Sequence, residues 1–245
     1  IGSNIANILL ILGVTAVISP LIVKHSTVWK EIPLSLLAVV VFFIVSNDVL
    51  INNDTKNFIS RSEGLILISF FIIFLAYVFN MSRYSLVEAM VEPKYRISVS
   101  FFLIVLGLIG LIYGGRFVVS SGTEIAKKLG FSEELIGFSM IAIGTSLPEL
   151  FTSAIAAYKK NSEIAIGNVV GSNIFNIFWI MGVSSVINPV PFSNIYNIDT
   201  LILLFATSLL FVFNFTGKKQ TLHRKEGILF LIAYLLYLIY IFKRG

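Results

Sequence analysis

Residues 1–20 read IGSNIANILLILGVTAVISP, and residues 170–189 read VGSNIFNIFWIMGVSSVINP. At a constant offset of 169, 12 of the 20 positions are identical. Two unrelated apolar helices share Leu and Ile by composition alone. They do not also share Gly-Ser-Asn, a second Asn, a later Gly and a terminal Pro in register. The stretch is therefore an internal repeat, and its placement decides the fold. The correspondence continues approximately beyond it, because Glu63-Gly64 opens one apolar run much as Glu226-Gly227 opens another.

The 245 residues around the repeat are 57% hydrophobic and 13% charged, with 22 Phe and a mean hydropathy of +0.93. Soluble chains carry about a quarter charged residues. So apolar a chain cannot cover itself with polar groups, and lipid is the expected solvent. That excludes a cytosolic enzyme, a nucleic-acid-binding module and a disordered tail. The net charge of +5 belongs to the loops and reads as membrane orientation. With no Cys, disulfides, thiolate metal sites and Cys nucleophiles are excluded. No signal peptide is legible in Ile1–Pro20, which has neither an initiating Met nor a basic leading segment.

About 20 apolar residues cross a bilayer as helix. Eight stretches qualify or nearly so: Ile5–Val23, Ile32–Leu50, Leu65–Phe79, Val99–Val119, Leu135–Tyr158, Ile164–Ile187, Ile198–Phe215 and Gly227–Phe242. Runs such as Leu36–Val45 are apolar on every face, unlike the alternating strands of a membrane barrel. The expected class is an all-α polytopic membrane protein. Eleven of the 18 Lys and Arg residues fall on the side of the segment 82–96. This bias predicts a cytoplasmic linker at 82–96 and an outside C-terminus.

The first copy lies on span 1 and the second on span 6. Span 6 is five places after span 1, an odd step, so the copies traverse the membrane in opposite directions. Inverted repeats are a transporter architecture with a site near the midplane. The expected organisation is a partial first repeat of three spans at 1–81, the linker at 82–96, and a complete second repeat of five spans at 97–245. By the same offset, about seventy residues, or two helices, would precede Ile1.

Polar residues inside the spans point to the site. Glu149 lies near the middle of span 5, where a carboxylate costs about 2.5–3.5 kcal/mol on insertion scales and marks function by default. Pro148 lacks an N–H and should break or kink the helix near Gly144–Pro148, freeing carbonyls around Ala142–Thr145. Thr145 lies one turn from Glu149 on the same face, with Ser146 beside it. Span 6 supplies Asn168, Ser172, Asn173 and Asn176, and span 1 repeats the i,i+4 pair as Ser3 and Asn7. One carboxylate with hydroxyls, amides and carbonyls is an all-oxygen set, which suits Na⁺ or Ca²⁺ rather than zinc or copper. His25 and His223 lie in loops beside Lys or Arg and are given no chemistry. With no Cys and no His inside a span, an intramembrane enzyme is disfavoured.

Gly144-Thr145-Ser146-Leu147-Pro148-Glu149-Leu150 followed by Gly167-Asn168-Val169-Val170-Gly171-Ser172-Asn173-Ile174-Phe175-Asn176 resembles the second alpha-repeat of the sodium/calcium exchanger family. The bacterial and archaeal calcium/sodium antiporters are the nearest group, and the likeness covers essentially the whole chain. It implies a fold of ten helices in two inverted five-helix repeats, of which eight are present here. It also implies exchange of Na⁺ for Ca²⁺ by alternating access, with no organic cofactor. By motif match Glu149 would be the central ligand, Thr145 and Ser146 would add oxygens, and the Ala142 carbonyl would serve Na⁺. Ser172 and Asn176 would complete this half, with Ser3 and Asn7 at the matching first-repeat positions. The first repeat's own Gly-Thr-Ser-Leu-Pro-Glu would fall before Ile1, and Asn stands at both 7 and 176 where the family's pattern allows Asp. The expected partners are the lipid bilayer and the transported ions, in a bacterial or archaeal plasma membrane. H⁺/Ca²⁺ exchange and a non-transporting truncated remnant are the alternatives.

Overall fold

The computed structural model describes residues 1–51, 55–85, 95–130, 142–216 and 220–244. Eight long helices follow one another among the described residues: α1 (Gly2–Ile18), α2 (Thr27–Val45), α3 (Arg61–Ser85), α4 (Ile97–Lys128), α5 (Ala142–Tyr158), α6 (Ser162–Ile187), α7 (Asn194–Phe213) and α8 (Arg224–Arg244). Six of them are long and apolar enough to cross a membrane; α1 and α5 are shorter. The chain is an all-α polytopic membrane protein. Residues 131–141, which include the expected first part of span 5, and linker residues 86–94 lie outside the described residues.

The helix ends differ from the hydropathy reading for local reasons. α1 stops at Ile18 because Ser19 adopts an extended backbone (φ −148°, ψ 132°), as the residue before a proline prefers. α4 outruns its apolar stretch to end at Lys128. Hydropathy marks where lipid stops, whereas this helix continues with its own surface pair, Glu124 and Lys128 at 2.8 Å. α3 and α8 begin alike. The Ser60 backbone N–H donates to Glu63 Oε2 (2.7 Å), and that of His223 donates to Glu226 Oε2 (2.9 Å). Each glutamate thereby reaches back to satisfy an orphan amide at its helix start. α5 runs unbroken from Ala142 through Pro148 to Tyr158, so the expected break does not fall within these residues. The missing proline N–H still leaves the Gly144 carbonyl without its helical donor.

The two repeat copies, α1 and α6, run antiparallel against each other. Lys24, just past the end of α1, pairs with Glu163 at the start of α6 at 2.6 Å. At the opposite end Ile1 and Gly2 share a cavity wall with Val190, Pro191 and Phe192, which follow α6. Both copies widen at the same place. π-helical turns occupy Ala6–Ile11 in α1 and Phe175–Met181 in α6. Asn7 and Asn176 are the second residue of each. Hydroxyls take up carbonyls at the trailing edge of both segments: Thr15 donates to the carbonyls of Ile11 (2.7 Å) and Leu12 (3.0 Å), and Ser185 to that of Met181 (2.7 Å).

Each copy also docks one partner helix through glycine. A Cβ on Gly227 of α8 would lie 2.9 Å from the Gly13 carbonyl oxygen, and one on Gly64 of α3 would lie 2.7 Å from that of Gly182. Backbones this close exclude any side chain, and small residues are how membrane helices approach. Short antiparallel strands tie the loops together: β1 (Leu21–Ile22) with β4 (Thr221–Leu222), and β2 (Asn57–Ile59) with β3 (Val190–Phe192). α2 packs on α7, and α5 lies across α1 and α6. α4 leans on α5 with almost all of its length exposed; Ala126 is its one buried residue among those described. The buried apolar core runs through α1, α2, α6, α7 and α8, around Ile5, Leu12, Phe178 and Phe230.

Candidate functional site

The centre of the molecule is four asparagines. Asn4 Nδ2 donates to the Asn173 backbone carbonyl at 3.3 Å, and Asn173 Nδ2 returns the bond to the Asn4 carbonyl at 3.2 Å. Asn7 Nδ2 donates to Asn173 Oδ1 at 2.9 Å, and Asn176 Nδ2 to Asn4 Oδ1 at 2.9 Å. The pattern repeats under exchange of the two copies, so a local two-fold relation passes between Asn4 and Asn173. Asn4, Asn7 and Asn173 are buried and Asn176 half-buried. In an apolar interior such amides are stable only when paired. Here each supplies what another lacks, save that Asn7 Oδ1 is buried without a partner.

α5 brings the charge to this knot. Ser172 Oγ, one residue before Asn173, donates to Glu149 Oε1 at 3.1 Å. Glu149 Oε2 is buried without a hydrogen-bond partner. Asn168, one turn earlier on α6, donates to the Glu149 carbonyl (3.3 Å) and to Ser153 Oγ (3.0 Å), fixing α5 against α6. From α1, the Ser3 backbone carbonyl accepts from Ser146 Oγ at 3.5 Å, one turn before Glu149. A carboxylate oxygen buried with no donor is costly, and a cation or a proton would relieve it. The hydroxyl of Ser172 is an oxygen donor of the kind hard cations take. Among the described residues no three His, Asp or Glu residues gather as a metal cluster.

Of the residues singled out from sequence, Glu149, Ser172, Ser146 and Ser3 meet where α5 crosses α1 and α6. Asn7 and Asn176 meet through the asparagine knot. Ala142 opens α5 one turn before Ser146. Thr145 is exposed and lines a groove of 580 Å³ between α4 and α5, with Arg116, Gly144 and Pro148. Gly144 itself abuts Val119 so closely that no Cβ would fit there. Sequence reasoning gave no role to Asn4 and Ser153, and counted Asn173 without placing it. The signal for Asn4 and Asn173 was present, since both are invariant between the copies at the 169-residue offset. Ser153 carried none beyond a polar residue in an apolar helix.

A family profile described as "Sodium/calcium exchanger protein" matches residues 1–80 and 99–243. The chain is 33% identical over 250 residues to a protein named putative antiporter CaxA from Alkalimonas amylolytica, covering 97% of this chain and 75% of that one. It is 46% identical over 120 residues to sodium/calcium exchanger MaX1 of Methanosarcina acetivorans, covering 49% of this chain and 34% of that one. A solved structure of the sodium-calcium exchanger NCX_Mj, soaked with Na⁺ and Sr²⁺, superposes with a TM-score of 0.76 at 33% identity, over 97% of this chain and 74% of that one. With a profile matched along nearly all of its length and a likeness in both sequence and fold over 97% of it, this chain belongs to the sodium/calcium exchanger protein family, a family of integral membrane transporters.

Proposed function

We propose that this protein is a secondary antiporter that exchanges Ca²⁺ for Na⁺ by alternating access, with Glu149 as the charged ligand both ions share. The observation that carries the reading is the Glu149 carboxylate itself. One oxygen is held by Ser172 and the other is buried with no partner. Thr145, Ser146, the Ala142 carbonyl, Ser172, Asn176, Ser3 and Asn7 are the proposed neutral oxygen ligands. Residues 1–81 form three spans of the first repeat, 82–96 the cytoplasmic linker, and 97–245 the second repeat, in a bacterial or archaeal plasma membrane.

The chemistry follows from the Glu149 carboxylate. Ca²⁺ gives up its water only to strong oxygen ligands, and ligand charge sets its affinity. When Ca²⁺ neutralises Glu149, Na⁺ loses the charge that would hold it, and the reverse is equally true. Mutually exclusive occupancy of one charge couples the two fluxes, provided the site opens to one side at a time. A proton could satisfy Glu149 Oε2 as well, so H⁺ is the rival counter-ion. The test is Ca²⁺ uptake into vesicles carrying the full-length protein, driven by an outward Na⁺ gradient or, in parallel, by an outward H⁺ gradient. Uptake that follows Na⁺ and saturates supports the proposal. Uptake that follows only H⁺ replaces Na⁺ by H⁺, and no uptake under either gradient leaves a non-transporting membrane protein.

A further inference from the structure

We infer that Asn4 and Asn173 are positioning residues acting across the repeat boundary: each orients the ligand amide of the opposite copy, Asn4 that of Asn176 and Asn173 that of Asn7. This rests on the proposed cation site, in which the second asparagine of each copy offers an oxygen.

An asparagine side chain has one donating and one accepting edge, and nothing in its shape decides which faces where. Here two backbone carbonyls decide. The carbonyls of Asn173 and Asn4 can only accept, so they fix Nδ2 of Asn4 and of Asn173 toward them (3.3 and 3.2 Å). Oδ1 of each then lies on its other edge and can be met only by a donor. Asn176 Nδ2 meets the first and Asn7 Nδ2 the second, both at 2.9 Å. The oxygens of Asn7 and Asn176 are thereby turned away from the knot. Asn7 Oδ1 ends buried with no partner, which is the state a ligand oxygen awaiting a cation would occupy. Asn176 lines a small cavity of 30 Å³ beside Asn4, Phe42 and Met181. Were either amide reversed, it would present two N–H donors to a cation and repel it.

Bracing alone would need only some polar contact between α1 and α6. It would not need the crossed order in which the outer amides both donate and both oxygens point outward. The π-helical turns add to this reading, because each begins one residue before Asn7 or Asn176, and such turns recur at functional sites.

The test is a set of double-mutant cycles on the purified full-length protein, with Ca²⁺ alone titrated calorimetrically and thermal unfolding followed in parallel. Asn4→Ala and Asn173→Ala should each weaken Ca²⁺ binding by about threefold to tenfold, the size of a membrane hydrogen bond expressed as affinity. Asn4→Ala should add nothing in an Asn176→Ala background yet multiply with Asn7→Ala. Asn173→Ala should add nothing in Asn7→Ala yet multiply with Asn176→Ala. Should an Ala variant fail to fold, Asn4→Ser and Asn173→Ser retain a hydroxyl acceptor and should show the same crossed pattern at smaller amplitude. Unchanged affinity with a lowered unfolding temperature, or effects that multiply in all four pairs, would overturn the inference and leave only bracing. Glu149→Gln serves as the control: if it binds Ca²⁺ like the parent, the cation-site reading has failed and takes this inference with it.

Discussion

α1 and α6 carry the repeated sequence in opposite directions; they share geometry, but of their two matching serines only Ser172 meets a carboxylate among the described residues. Both have a π-helical turn at the same place, both lend two asparagines to the central knot, and both dock a partner helix at a glycine. They part at the serine before the first of these asparagines. Ser172 donates to the Glu149 carboxylate, whereas Ser3 meets α5 through its backbone carbonyl, which accepts from Ser146. The duplicated sequence thus encodes the scaffold twice, and among the described residues the carboxylate beside it comes from a neighbouring helix, α5. A second divergence lies at the starts of α2 and α7, where Lys30 and Asp199 occupy positions related by the same offset. Lys30 sits 5.5 Å over the Tyr77 ring, whereas Asp199 forms a buried 2.8 Å pair with Arg244 at the end of α8.

These differences rank the expected effects of substitution. The largest is at Glu149, where loss of the charge should remove exchange altogether while matched changes at Ser3 and Ser172 only weaken it. Next is the α7–α8 pair. Asp199→Ala removes the carboxylate partner of Arg244, whose side chain is only 13% exposed, and breaking a buried pair costs about 3–5 kcal/mol. Lys30→Ala, its counterpart, should cost no more than about 1 kcal/mol, the range of an exposed cation–π contact. Thermal unfolding in detergent compares the two; equal losses would erase the asymmetry.

The glycine contacts test the shared part. Gly64→Ala and Gly227→Ala each force a methyl into a carbonyl of the partner helix, and overpacking of this kind costs about 1–3 kcal/mol. The account expects the two penalties to match, because Gly13–Gly227 and Gly182–Gly64 are equivalent contacts. A marked imbalance in unfolding temperature would show that one copy alone carries the scaffold. The smallest effect belongs to Lys24→Ala. Its pair with Glu163 is exposed by more than half on both sides, so stability should change by less than about 1 kcal/mol, with transport unaltered.

Much of this was legible in the sequence because membrane helices write their length and duplication into composition. The span positions, the antiparallel copies and the cluster of Glu149, Ser172 and Ser146 follow from hydropathy, the 169-residue offset and the cost of polar groups in lipid. Three features were not legible. Hydropathy reports the lipid boundary, so it missed the last turns of α4 beyond Val119. π-helical turns differ from α-helix by one residue per turn and leave no compositional trace in ANILLI or FNIFWIM. Donor and acceptor edges of an amide depend on what it faces across a helix contact, so Asn4 and Asn173 could be seen as repeated but not as central. Pro148 lies inside α5 without a break from Ala142 onward.

The most direct test of the central claim, that Glu149 is the charge which binds the exchanged cation, is Ca²⁺ uptake driven by an outward Na⁺ gradient. It should be measured for the full-length protein and for Glu149→Gln, Asn176→Ala and Thr145→Ala, each normalised to inserted protein. Gln keeps the shape and one carbonyl oxygen but removes the charge on which Ca²⁺ affinity depends, and insertion should be undiminished because a buried charge is lost. The account predicts no uptake for Glu149→Gln, reduced uptake for Asn176→Ala, and weakened coupling for Thr145→Ala. Parent-like uptake by Glu149→Gln alongside a dead Asn176→Ala would contradict it and reduce Glu149 to a structural partner of Ser172.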